Sequence, residues 1–324
     1  MTTVIPDTVR LRAPETIADP GLRLLVRRAI DGRRADGAHL AIGIEGGGMA
    51  VSMATGMALA LERLELMAQA DSVYGTSAGA LAAAYAAAGR MGDAATVLSQ
   101  ACTRAFIDPV RPLRGRPVVS LDHLMGLVRA RPPMPRAGPG PDLRVLVAGV
   151  DDGGLRTLRG FGDLGEVLEA VRAGMTIPFF AGAAARYRGT LVSDGGLLES
   201  IPVATPLAEG ATHVIALRSR DPAYRKGRRG RLYGVAEDLV IGRLPGRLPE
   251  LIRARPARYD AEADALAGAA QGRGPLAGRA VQLAPAAGTP LVGRLQTDRA
   301  RVAAAIEAGA RVVIEALGER APKR

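Results

Sequence analysis

Asp71-Ser72-Val73-Tyr74-Gly75-Thr76-Ser77-Ala78-Gly79-Ala80-Leu81-Ala82 is the stretch on which the fold of this chain turns. Asp71–Tyr74 reads as a short buried strand and Ala80–Ala88 as an Ala-rich helix ended by Gly89. Between them lies G-x-S-x-G. A sharp strand-to-helix turn crowds its own backbone, so small residues are needed two before and two after the serine, which is then held out at the C-terminal edge of a sheet. Ser77 also stands at a helix N-terminus, where the peptide dipole favours negative charge. A glycine turn with an incidental serine has the same spelling, but it does not call for a strand before it and a helix after it.

Upstream the same rhythm is already present. His39–Ile44 is an apolar run bounded by glycine and reads as a strand, Gly46-Gly47-Gly48 as a turn, and Met49–Ala70 as a helix with Met53, Met57, Ala60, Leu64 and Met67 at spacings of three and four. Strand, glycine turn and helix, twice over, predict an α/β protein with a parallel sheet. Further out, Gly21–Ile30, Gly92–Ala101, Leu121–Ala130, Asp163–Met175 and Asp298–Gly318 read as helices. Leu143–Val150 reads as a core strand with Leu155–Arg159 folding back on it, and Thr190–Ser193 and Thr212–Leu217 as short strands. Arg218–Tyr259 reads as basic and irregular. No repeat divides the chain: residues 1–38 are expected to be a lead-in segment and 39–324 one domain.

Composition bounds the function. The chain has 324 residues, 48% hydrophobic and 23% charged, with a single cysteine, Cys102, so it can bury a large core and cannot form an intrachain disulfide. Its apolar stretches are too short and too rich in Gly and Ala to span a bilayer, and Met1–Pro20 lacks the apolar core of a signal peptide, so a cytoplasmic protein without a transmembrane segment is expected. Lys and Arg exceed Asp and Glu by 43 to 32, a net charge of +11 that favours anionic partners. Four Phe, six Tyr and no Trp are too few for a base-stacking platform, and no nucleic-acid motif is visible, so nucleic acid is not expected as a partner.

Three elements carry chemistry. Ser77 is the candidate nucleophile. Gly46, Gly47 and Gly48 present three consecutive N–H groups that can converge on an anion. The following Met49, Ala50 and Val51 fit no nucleotide-binding template, which leaves an oxyanion hole for acyl transfer as the better reading. Asp194-Gly195-Gly196 places a carboxylate at a strand end; alone it reads as an Asp-Gly turn. A Ser–Asp–His triad would need His39, His123 or His213. The order Ser77, Asp194, His213 fits such a triad, but His213 and His39 begin their strands, at the edge opposite Ser77, and His123 lies on a helix. A carboxylate can act as the base directly if it reaches the hydroxyl, which makes Asp194 the candidate base.

These residues resemble the patatin-like phospholipases of bacteria. The resemblance spans about His39 to Arg218, with a weaker echo at Gln296–Gly309. It rests on Glu45-Gly46-Gly47-Gly48-Met49, on Gly75-Thr76-Ser77-Ala78-Gly79 with its Ala-Leu-Ala helix, and on Ser193-Asp194-Gly195-Gly196. Thr176-Ile177-Pro178-Phe179-Phe180 and Ile201-Pro202-Val203 also look like the family. The resemblance implies a three-layer α/β/α sandwich with a mainly parallel central sheet. It implies a dyad of Ser77 as nucleophile and Asp194 as general base, an oxyanion hole from the amides of Gly46, Gly47 and Gly48, no metal or organic cofactor, and hydrolysis of acyl esters in phospholipids or other lipids. The family has Arg-Gly where this chain has Ala50-Val51, which bears on the head group it accepts. A soluble esterase or thioesterase, a transacylase, and a non-catalytic lipid-binding member of the fold are the alternatives.

Arg218–Arg258 has a further expected role, peripheral contact with an anionic membrane. Each exposed Arg contributes up to about 1 kcal/mol near such a surface, and Leu244, Leu248, Leu251 and Ile252 would insert between the arginines. A solvated loop and helix is the competing reading.

Overall fold

Residues 9–32, 36–134, 140–227 and 241–320 are described by the structure, a computed structural model. Strand β1 (Val9–Leu11) leads to helix α1 (Pro20–Asp31), strand β2 (Leu40–Ile44), helix α2 (Ser52–Arg63), strand β3 (Ser72–Gly75) and helices α3 (Ala78–Ala87) and α4 (Met91–Gln100). Helix α5 (Leu121–Ala130), strands β4 (Asp142–Gly149) and β5 (Leu155–Leu158), helix α6 (Leu164–Ala173), and strands β6 (Ala185–Tyr187) and β7 (Thr190–Asp194) follow. Helix α7 (Ala204–Ala208), strand β8 (His213–Leu217), helix α8 (Leu248–Ala270), strand β9 (Ala280–Leu283), helix α9 (Arg299–Leu317) and strand β10 (Gly318–Arg320) come after them.

The main sheet runs β6-β7-β4-β3-β2-β8-β9, with β5 returning against β4 as a hairpin. The pairs β4–β3, β3–β2, β2–β8 and β8–β9 are parallel, whereas β6–β7 and β7–β4 are antiparallel. Alternation along the strands divides the interior in two. Ile42 and Ile44, Val73, and Ile215 and Leu217 face one core, shared with α1, α2, α3, α4 and α9. Ala41, Tyr74, Val214 and Ala216 face a second, shared with Tyr259, Ala263 and Leu266 of α8. This is the expected three-layer α/β/α sandwich around a mainly parallel sheet.

Local rules explain the units around the site. Helix α3 is almost wholly apolar and buried on all sides, as an Ala-rich helix under a sheet must be. Helices α2 and α9 cross backbone to backbone: a Cβ at Gly56 would lie 1.9 Å from the Ile306 carbonyl oxygen, and one at Gly309 2.0 Å from that of Met53. The N-terminal segment packs on the same body. β1 pairs with β10, and the buried Arg28 of α1 forms ion pairs of 2.7 Å with both Asp36 and Asp71.

Some expectations are corrected. The helix expected over Met49–Ala70 is a 3-10 turn, Gly48–Val51, followed by α2, which stops at Arg63. Glu65 takes a positive φ of 58° there, and the amide of Leu66 bonds back to the Leu61 carbonyl, a closing motif that a non-glycine residue does not advertise. The stretch expected to be irregular contains the start of α8, with Pro256 inside the helix. Strands β6 and β9, three and four residues long, are too short to stand out in the sequence. Arg228, Arg229 and Arg231 of the basic stretch lie outside the described residues.

Candidate active site

Strand register assembles the site before any side chain is considered. Ile44, the last residue of β2, pairs with Gly75, the last of β3, so the loop Glu45–Gly48 and the turn Thr76–Ser77 leave the sheet side by side. Gly75 also pairs with Val145 of β4, and two residues further along β4 Val147 pairs with Asp194. One sheet edge thus receives Ser77, Asp194 and the three glycines.

The turn is tight for the reason its small residues suggest. Ser77 has φ 56° and ψ −135°, a strained conformation for a non-glycine residue, and caps the N-terminus of α3. A Cβ at Gly75 would lie 2.3 Å from the Gly79 carbonyl oxygen, and one at Gly79 2.3 Å from that of Ile44. Gly46 is equally constrained, because its Cβ would lie 2.6 Å from the Thr76 carbonyl oxygen and 2.7 Å from Ser77 Cβ. The amides flanking the glycines are used: Glu45 N–H donates to Leu217 and Met49 N–H to Arg294. Among the described residues, the N–H groups of Gly46, Gly47 and Gly48 have no such acceptor.

Asp194 is fully buried at the end of β7. Its Oδ1 accepts from Gly196 N–H at 2.7 Å. Its Oδ2 is enclosed and has no hydrogen bond of normal geometry among the described residues. Burial raises the Asp194 pKa above the usual carboxylate range; the Arg255 guanidinium, the Ser77 hydroxyl, the Gly196 amide and the Lys226 ammonium pull it back. The Ser77 hydroxyl thus lies close enough to the carboxylate to favour its charged form. The histidines stand apart, as their strand positions suggest. His213 pairs with Leu40, four residues down β2 from Ile44, or about 13 Å at the usual strand rise. His39 bonds Ser72 Oγ at 2.8 Å.

Two clefts meet at Ser77. One, about 590 Å³ including its mouth, is walled by apolar side chains, among them Leu81, Leu98, Phe106, Ile107, Val119 and Ile177. The other, about 320 Å³, is polar and is lined by Glu45, Ser200, Arg220, Lys226, Arg255 and Arg294 with Tyr224 and Tyr259.

Sequence reasoning missed the supports of this polar wall. Glu45 and Arg218, each just beyond the end of a paired strand, form a buried ion pair of 3.0 Å. Tyr259 Oη donates to Glu45 Oε1 at 2.8 Å and Ser219 N–H to Glu45 Oε2 at 2.7 Å, which fixes the start of the glycine loop. Helix α8 is strapped to the loop after Asp194: Arg255 Nε donates to the Gly196 carbonyl at 2.8 Å, and Glu262 accepts from Ser200 and Ile201 N–H. The partners of Glu45 stand far along the chain from it, so no local pattern marks them.

The expected insertion of leucines from the basic stretch is corrected. Leu248 and Leu251 are 0% and 2% exposed and pack with Ala148, Val150 and Leu197, while Leu244 and Ile252 lie against the same cluster. They serve as the core beneath α8 because the helix must bury an apolar face against the sheet. Among the described residues, no helix is long and apolar enough to cross a membrane.

Among solved structures the chain is similar to VipD from Legionella pneumophila, with 13% identity and a TM-score of 0.40, covering 86% of this chain and 67% of that one. No curated protein matches it. Residues 43–207, just over half of the chain, match the family described as Patatin-like phospholipase, a span that includes Ser77, Asp194 and all three glycines. The chain therefore belongs to the patatin-like phospholipase family.

Proposed function

We propose that this patatin-like phospholipase is a lipid acyl hydrolase that works through Ser77 as nucleophile, Asp194 as general base and the amides of Gly46, Gly47 and Gly48 as oxyanion hole. The observation that carries this reading is the meeting of a strained, outward-held Ser77, a buried Asp194 carboxylate with an unpartnered Oδ2, and unpartnered glycine amides on one sheet edge. Asp194 takes the hydroxyl proton as Ser77 Oγ bonds to the ester carbon, and the glycine amides receive the charge that develops on the carbonyl oxygen. The acyl–oxygen bond breaks, Asp194 returns the proton to the leaving alkoxide, and an acyl-Ser77 remains. Water, deprotonated by Asp194, releases the fatty acid and restores the serine.

The apolar cleft fits the acyl chain, and each methylene it buries contributes about 0.8 kcal/mol. We take residues 39–324 as the hydrolase unit and 1–38 as a lead-in, whose β1 and α1 pack on it. Peripheral contact of 218–258 with anionic lipid rests on charge, since Leu248 and Leu251 are buried and Leu244 and Ile252 pack against the same cluster. Liposome binding that ignores salt and lipid charge would remove it.

The direct test is a fluorophosphonate probe followed by peptide mapping. Labelling of the wild type at Ser77, with none in Ser77→Ala, is the expected result. A wild type that is folded, unlabelled and inert on short-chain acyl esters would refute the hydrolase in favour of a non-catalytic lipid binder.

A further inference from the structure

An ester whose carbonyl sits at Ser77 sends its acyl chain into the apolar cleft and its alcohol into the polar one. The family match ends at residue 207, so Arg220, Lys226, Arg255 and Arg294 on the polar wall all come from the chain beyond it. The wall's own carboxylate, Glu45, is already neutralised by Arg218. Three of the basic groups are held by partners other than carboxylates. Arg220 donates to the Val292 carbonyl at 3.0 Å, Lys226 to Ser200 Oγ at 3.1 Å and Arg255 to the Gly196 carbonyl at 2.8 Å. Arg220 and Arg255 therefore face the cleft as cations bonded to neutral oxygens, and Lys226, also bonded to one, becomes a third when it is protonated.

The aromatic faces argue in the same direction. A quaternary ammonium is recognised by open aromatic faces. Here Lys226 Nζ lies 3.9 Å from the Tyr259 ring centroid, and the Arg220 guanidinium carbon 5.3 Å from that of Tyr224. The chain's own basic side chains already cover both rings. We propose that this cleft is an anion subsite that selects acyl esters whose leaving alcohol carries a net-negative phosphate, a phosphomonoester or glycerol phosphodiester, and disfavours zwitterionic choline head groups. The proposal rests on the hydrolase reading above and deepens it.

Lys226 adds a titration to this subsite. Burial, with Arg255 and Arg294 nearby, pushes its pKa down to about 6, against the upward pull of Glu45 and Glu262. Glu262 is itself pushed up to about 8 by burial and by Glu199. An arriving phosphate, facing Lys226, Arg220, Arg255 and Arg294 with Tyr259 and Asp194 behind them, restores the lysine proton and is bound with proton uptake.

The test uses octanoyl esters below their micelle concentration, so that general attraction of a +11 chain to anionic surfaces does not enter. kcat/KM is compared for octanoyl-glycerol 3-phosphate, octanoyl-glycerophosphoglycerol, octanoyl-glycerophosphocholine and uncharged octanoylglycerol. The wild type should favour the two anionic esters by about tenfold or more, and Lys226→Met and Arg220→Gln should each shrink that ratio. Equal values across the four, or variants that lower all four alike, overturn the subsite and leave the hydrolase standing. If none is cleaved and Ser77 takes no probe, the hydrolase reading fails by itself. Thermal shifts of Ser77→Ala then decide the subsite. Stabilisation by octanoyl-glycerol 3-phosphate beyond that by inorganic phosphate, lost on adding Lys226→Met, supports it. No shift, or an equal shift from inorganic phosphate alone, refutes it.

Discussion

Gly46→Ala is the sharpest perturbation of the proposed oxyanion hole, because it adds one carbon and no polarity. Gly46 does not have a positive φ, so alanine is allowed by its backbone. The added Cβ, however, would lie 2.6 Å from the Thr76 carbonyl oxygen and 2.7 Å from Ser77 Cβ, where at least 3.0 Å is needed. The glycine loop and the serine turn must therefore separate by about 0.4 Å or more. Oxyanion donors act within a window of about 2.7–3.1 Å, and loss of one costs about 3–4 kcal/mol of barrier. The expected result is a fall in kcat of about a hundredfold to a thousandfold on a p-nitrophenyl octanoate assay. Overpacking costs about 1–3 kcal/mol of stability by urea unfolding, so the variant should still fold. Gly126→Ala is the control: its Cβ meets nothing within 4 Å, on an exposed face of α5, and it should gain about 0.5–1 kcal/mol of stability with unchanged activity. A folded Gly46→Ala whose kcat stays within about threefold of wild type would refute the oxyanion assignment.

Other outcomes follow from the same geometry. Asp194→Asn should abolish turnover yet raise stability near neutral pH. Burial raises the folded pKa of Asp194, so the wild type is destabilised as pH rises through that pKa, and the gain should vanish in acid, below the unfolded value; equal unfolding midpoints for the two proteins at all pH values would contradict it. The same raised pKa should place the acid limb of the kcat/KM profile above the ordinary carboxylate range, and a limb at the ordinary value would argue against Asp194 as the base. Arg218→Met leaves the buried Glu45 without its cation and should cost about 3–5 kcal/mol in urea unfolding, partly recovered by adding Glu45→Gln; no loss in the single variant would mean the pair is not buried as described. Ala181→Leu adds bulk to the wall of the apolar cleft and should shift the preferred acyl chain to shorter lengths, read from kcat/KM across a chain-length series.

Much of the architecture was legible because its determinants are local. The apolar runs at Leu40–Ile44 and Ser72–Gly75, each followed by glycine and then a helical period, fix two parallel strands and the turns between strand and helix. The small residues around Ser77 are a packing requirement that any chain making this turn must meet, so Gly75 and Gly79 announce it from sequence alone. Asp194 could be named because it follows a strand and because the histidines begin theirs. What sequence alone could not supply is register. That Asp194 ends opposite Val147, two residues beyond the partner of Gly75, depends on how β4 slides against both neighbours.

The polar wall belongs wholly to tertiary structure. Glu45 and Arg218 are 173 residues apart, and become a pair only because β2 and β8 lie side by side with Ile44 opposite Leu217. Leu244, Leu248, Leu251 and Ile252 read from sequence as residues that insert into a membrane; only the folded chain shows that they pack against the sheet. Charge and periodicity are properties of a segment and survive in its sequence. Burial, ion pairing and the sign of a cleft are properties of neighbours, and neighbours exist only once the sheet has chosen its order.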